Sequence, residues 1–142
     1  KVNEATAYTT PFGINNQVGL RFTTVYGEGS RKTMFMGKLM RGELEYATNH
    51  VRDFIHVSDV VNAIMIFINT GTKGKLPAYN VGTGTGHIVS KLAQLKKPDI
   101  EIREGHECEA LDNTADNSDL RALGWEPKIN ARGYLQNDGN VL

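Results

Sequence analysis

Arg52 and Asp53 open a short β-rich run, Phe54-Ile55-His56-Val57, which leads into an apolar helical pattern. An arginine there is a fixed cation beside a rigid frame. It suits a phosphate or carboxylate, which a guanidinium grips through forked, charge-assisted hydrogen bonds. The alternative is a surface arginine paired with Asp53, an arrangement worth little. His50, His56, His87 and His106 are scattered without metal-ligand spacing, and no Cys or His cluster at zinc spacing surrounds Cys108, the only cysteine. No serine sits in a nucleophile elbow. His56 and Asp59 straddle the strand–helix junction, where packing or capping is expected of both.

Gly82-x-Gly84-x-Gly86, between a strand and a helix, suggests a phosphate cradle built from backbone N–H groups. The dinucleotide fingerprint needs a third glycine three residues after the second, and His87 stands there. Glu101 is near the offset of the expected acid but follows only a short helix. These glycines are therefore read as a tight strand-to-helix turn.

The elements that must position these groups follow from pattern. Residues 1–8 read as the tail of a helix ended by Pro11 and Gly13. Residues 18–26, rich in β-branched and aromatic side chains, read as one strand. A helix is expected over 33–40, closed by Gly42, and a strand over 44–48. A helix over about 59–69, with Ser58 or Asp59 as N-cap, is apolar on most sides and expected between layers. A loop over 70–75, a strand over 78–81, a helix over 89–97 and a strand over 100–103 follow. The polar stretch 105–117 is expected to be a loop that covers something. A short helix over 119–123 stops at Gly124, and a last helical turn falls at 130–135. Alternating strands and helices give an α/β fold.

The 142 residues can hold one real core. Hydrophobic content of 39% and charged content of 23% describe an ordinary globular protein. Sixteen basic and sixteen acidic residues cancel, which argues against nucleic acid and charged membrane surfaces as partners. No apolar run spans a bilayer and no signal peptide is visible, so a cytoplasmic location is expected. The first residue is Lys rather than Met, and an upstream part is expected.

Four motifs in order carry a resemblance. They are Gly19-Leu20-Arg21-Phe22-Thr23-Thr24-Val25-Tyr26-Gly27, then Arg52-Asp53-Phe54-Ile55-His56-Val57-x-Asp59, then Tyr79-Asn80-Val81-Gly82-x-Gly84. The last is Arg103-x-Gly105 with Ala115-Asp116 and Leu123-Gly124-Trp125-x-Pro127. Together they resemble the second half of the extended short-chain dehydrogenase/reductases, in particular the NAD-dependent nucleotide-sugar epimerases and dehydratases. The resemblance implies the C-terminal part of a Rossmann-type sheet plus a small α/β substrate-binding domain. Residues 1–30 would end the Rossmann-type domain and 31–142 would be mainly substrate-binding, with 51–70 returning to the Rossmann-type core.

In that family a tyrosine serves as acid/base, a lysine lowers its pKa, and NAD takes and returns a hydride at the sugar. The glycine-rich NAD fingerprint and the Tyr-x-x-x-Lys pair are not in this sequence. No catalytic residue is therefore assigned, and the chain alone is expected to be inactive. The resemblance implies that Arg52 and Arg103 contact a nucleotide diphosphate. It puts Thr24 where relatives place a substrate-touching asparagine and Arg31 in a substrate loop. Phe22 and Val25 would line the nicotinamide of NAD or NADP. His106 stands where an acid is usual, so no ribose contact is carried over to it. The partners implied are a nucleotide-diphosphate sugar and either a missing N-terminal NAD-binding half or a homo-oligomer. The rival readings are a non-catalytic nucleotide-binding module and a regulator on a degenerate reductase fold.

Overall fold

The computed structural model describes residues 18–70 and 76–140. The helix tail expected over 1–8 and most of the loop expected over 70–75 lie outside the described residues. The run 18–26 forms two strands, β1 (Gly19–Phe22) and β2 (Thr24–Tyr26), interrupted at Thr23. β1 runs parallel to β5 (Ala78–Val81), with Gly19 opposite Ala78 and Phe22 opposite Val81. The Thr23 N–H still donates to Val81 O at 3.2 Å. The chain then changes partner, and β2 runs parallel to β4 (Val51–His56), with Thr24 opposite Phe54. One continuous β-prone stretch thus serves two sheets. On its other edge β4 meets β6 (Gly86–Ile88) antiparallel, with Arg52 opposite His87.

Helix α1 (Phe35–Met40) is followed by Gly42 at φ +71°, a left-handed conformation that ends a helix at little cost to glycine. The strands expected over 44–48 and 100–103 shrink to β3 (Tyr46–Ala47) and β7 (Glu101–Ile102), which among the described residues pair only with each other. Residues 86–88 become β6 before α3 (Val89–Gln94) begins, so the glycine turn does not run straight into a helix. Two short helices close the chain, α4 (Ser118–Arg121) and α5 (Ala131–Gln136). Asn130 caps α5 by accepting the N–H groups of Arg132 and Gly133.

Helix α2 (Val57–Thr70) starts two residues earlier than the pattern predicts. His56 rather than Ser58 or Asp59 serves its first turn, its Nδ1 accepting the Ser58 N–H at 3.2 Å. The buried Asp59 carboxylate instead accepts the N–H groups of Lys128 and Ile129, each at 3.0 Å, and its carbonyl accepts the Trp125 indole N–H at 3.1 Å. The expectation of a helix buried on most sides also fails. Val60 and Ala63 are buried, with Ile64 and Phe67 packed beside them, but Val61, Met65 and Ile68 are exposed. Positions i, i+4 and i+7 share one face, and among the described residues α2 has a partner layer only on the other.

Strand β4 divides two cores. Phe54 packs with Tyr26, Met36, Leu39, Leu92 and Leu135. Ile55, the next residue, packs with Val60, Ala63, Tyr79, Val81 and Trp125. Neighbouring strand residues point to opposite faces, so one strand supplies both.

Asp53, fully buried on β4, does not pair with Arg52. Its Oδ1 accepts the Thr83 N–H at 2.8 Å and the Thr83 hydroxyl at 2.6 Å. Its Oδ2 accepts the N–H groups of Gly84 at 2.9 Å and Ala115 at 3.2 Å. The glycine turn is therefore an anion cradle whose anion is part of the protein. A Cβ on Gly82 would stand 2.6 Å from Asp53 Oδ2 and 2.7 Å from Ala115 Cβ, so only glycine fits.

Asp53→Asn keeps the shape but turns an amide nitrogen toward N–H donors. It is expected to cost about 3 kcal/mol, read as a lowered urea midpoint. The Tyr26 hydroxyl is buried without a partner among the described residues. Burial, then Asp59 and Tyr134, hold its pKa above the usual value. Tyr26→Phe is therefore expected to leave stability unchanged or raise it by about 1 kcal/mol.

Burial also holds the His56 and His87 imidazoles below their usual 6.5. The unfolded chain then binds protons more readily, so stability is full above pH 6.5 and falls as pH drops through that value toward the folded pKa values. Thermal melts from pH 8 to 5 are expected to show this loss, and His56→Gln to reduce it.

Candidate functional site

Arg52 points away from Asp53 and into the segment 103–117. Its Nη1 donates to Val51 O at 2.9 Å and Ala110 O at 2.6 Å. Its Nη2 lies 3.2 Å from Glu109 Oε2 and 3.2 Å from His50 Nδ1. Glu109 Oε2 is in turn 3.0 Å from His50 Nδ1. The expected covering loop is thus found, and what it covers is β4. The Val51 N–H donates to Leu111 O at 2.8 Å, and the Asn113 N–H returns to Val51 O at 3.3 Å. The Asn113 side chain accepts the Asp53 N–H at 2.7 Å and donates to the Thr24 hydroxyl at 3.2 Å.

Arg103 follows β7. Its guanidinium lies over the Tyr46 ring, 4.3 Å from the centroid, and makes two 2.8 Å hydrogen bonds to the Glu101 carboxylate. Those bonds hold the Glu101 carboxyl below its usual range. Arg103 lines a cleft of about 500 Å³ with Asn49, His50, Ile102, Glu104, Gly105 and Leu111. Gly105 permits it, because a side chain there would overlap the His50 ring.

The residues singled out from the sequence therefore fall into three places. Arg103 lines the cleft, Arg52 stands one side chain behind it through His50, and Thr24 joins through Asn113. Val25 and Arg31 border a different cleft of about 260 Å³ with Tyr26, Ser30, Met34 and Val57. Phe22 is exposed at the carboxyl end of β1. His50, Glu109 and Asn113 were not among the residues singled out, although they connect the first group. Its place two residues before Arg52 was the only hint for His50, and nothing local marked the other two.

Among the described residues no group of His, Cys, Asp and Glu is placed to hold a metal ion, and no helix is long and apolar enough to cross a membrane.

Comparison with known proteins gives this geometry its family. A family model described as the NAD dependent epimerase/dehydratase family matches residues 3–82, more than half of the chain. UDP-glucuronic acid decarboxylase 6 of Arabidopsis thaliana is 28% identical over 147 aligned residues, covering 90% of this chain and 41% of the relative. The solved structure of MoeE5 in complex with UDP-glucose and NAD is 30% identical with a TM-score of 0.72, covering 85% of this chain and 45% of that one. The fold alone is shared with the Thermus thermophilus UDP-glucose 4-epimerase complex with NAD, at 21% identity and a TM-score of 0.73, covering 99% of this chain and 51% of that one. The chain thus spans about half the length of these relatives. With its parallel strand pairs and the matched motifs, it belongs to the NAD dependent epimerase/dehydratase family.

Proposed function

We propose that this chain supplies the nucleotide-sugar-binding portion of an NAD-dependent epimerase or dehydratase. The observation that carries this reading is the placement of Arg103 on the cleft with Arg52 one side chain behind it, bonded to His50 of the cleft wall. A diphosphate presents several anionic oxygens, and two guanidinium groups, one on β4 and one just after β7, match them with forked donors. Each arginine already holds a carboxylate, Glu101 or Glu109, so each is oriented toward an oxyanion. The Thr24 hydroxyl, fixed by Asn113, would face the sugar side of the same ligand.

NAD supplies hydride removal and return at the sugar in this chemistry. Phe22 fits a nicotinamide contact, because its exposed ring ends the parallel β1–β5 pair, where α/β sheets receive ligands. Val25, on the second cleft, would add to that side, and Arg31 on the same cleft would serve the substrate. The turn at 82–86 adds no pyrophosphate cradle, since the N–H groups of Thr83 and Gly84 are held by Asp53. The division into Rossmann-type residues, 1–30 and 51–70, and a mainly substrate-binding remainder draws on the core that joins Val18, Leu20 and Val25 to Ile55, Val60 and Ala63, a core that Tyr79, Val81, Leu120 and Trp125 also enter.

Calorimetric titration with UDP-, dTDP- and GDP-sugars, with NAD as comparison, tests the reading. Binding of a nucleotide sugar is expected, weakened about tenfold in Arg103→Ala. Equal affinity of the variant would remove Arg103 from the site. Tight NAD binding lost on mutating Thr83 would show that the glycine turn serves the cofactor instead.

A further inference from the structure

We infer that Glu109 is a built-in competitor for the ligand of this cleft, holding the half of Arg52 that an incoming diphosphate must take. The inference rests on the reading of Arg52 given above and adds a regulator to that site. Arg52 has two terminal nitrogens with different partners. Nη1 is bound to the backbone carbonyls of Val51, on β4, and of Ala110, in the segment that covers it. Nη2 is held by side chains, Glu109 and His50. A carboxylate oxygen at 3.2 Å takes up a donor that a phosphate oxygen would use.

Of the three side chains, only Glu109 is free to leave. Its side chain is 52% exposed, against 18% for Arg52 and 9% for His50. The backbone bonds that pin the segment to β4 begin at Leu111, two residues further on, so Glu109 can turn into solvent without releasing it. A half-exposed ion pair resists exchange only weakly, which makes Glu109 a threshold rather than a block. A ligand must offer Arg52 more than one carboxylate does. A diphosphate meets that condition, whereas a nucleoside or a free sugar does not.

The experiment is a calorimetric titration of the 142-residue chain with UDP, for the wild type, Glu109→Gln, Arg52→Ala and Arg52→Lys. Glu109→Gln preserves size and removes the charge. It is expected to tighten UDP binding about two- to fivefold, with a melting temperature close to wild type. Arg52→Ala is expected to weaken binding about tenfold or more, with Arg52→Lys between them and safe for the fold. Weaker binding in the Arg52 variants with unchanged or weaker binding in Glu109→Gln overturns the competitor and leaves the Arg52 assignment standing. Unchanged affinity in folded Arg52 variants overturns both, as does failure of wild type and Glu109→Gln alike to bind UDP.

Discussion

A carboxylate removed from water must be surrounded by donors, because an ionised group buried without them costs several kcal/mol. At Asp53 the donors are the Thr83, Gly84 and Ala115 backbone and the Thr83 hydroxyl, from two segments far apart in sequence. The rest of the site follows from this cluster. It requires glycine at position 82 and brings Ala115 against β4. With Asn113 bound to the Asp53 N–H, it lays the segment before it along Val51. Only then do Ala110 and Glu109 reach Arg52.

Asp59 repeats the device at the start of α2. Its two oxygens fix Lys128 and Ile129, its carbonyl takes the Trp125 indole, and the indole fills the core beneath Ile55. Two buried aspartates six residues apart thus organise most of the chain after residue 110. Each accepts backbone N–H groups, whose positions vary less than those of long side chains. This gives rigid support to a site whose outer groups, Arg103, Glu101 and Glu109, are largely exposed.

Much of this was legible in the residues. The strand over 78–81, a β-rich run over 52–57 and a helix over about 59–69 stood out, because β-branched runs and helical spacing are local properties, and the structure sets the latter two at 51–56 and 57–70. The glycine turn was read as structural from its spacing, and its N–H groups are indeed taken by the protein itself. The break at Thr23 was invisible, because nothing in a run of β-formers says that its partner will change. The exposed face of α2 was misread because Val61, Met65 and Ile68 report hydrophobicity and not the presence of a second layer. The partners of Arg52 were out of reach for another reason: Glu109 and Ala110 lie 57 and 58 residues away and are brought in by the Asp53 cluster. The family motifs marked Arg52 and Arg103 as notable, while their connection through His50 exists only in three dimensions.

The separation of Asp53 from its donors also orders events in time. Thr83 and Gly84 lie 30 and 31 residues downstream, and Ala115 lies 62. A chain leaving the ribosome exposes β4 long before the last donor emerges. Until then the aspartate must stay hydrated, and the faces of β4 cannot be sealed. Contacts of such long range slow folding, since loop-closure entropy is spent before they form. The Asp53 cluster can therefore close only after residue 115 has been made, and the side chains that seal β4 on either face, Leu120, Trp125 and Leu135, follow later still.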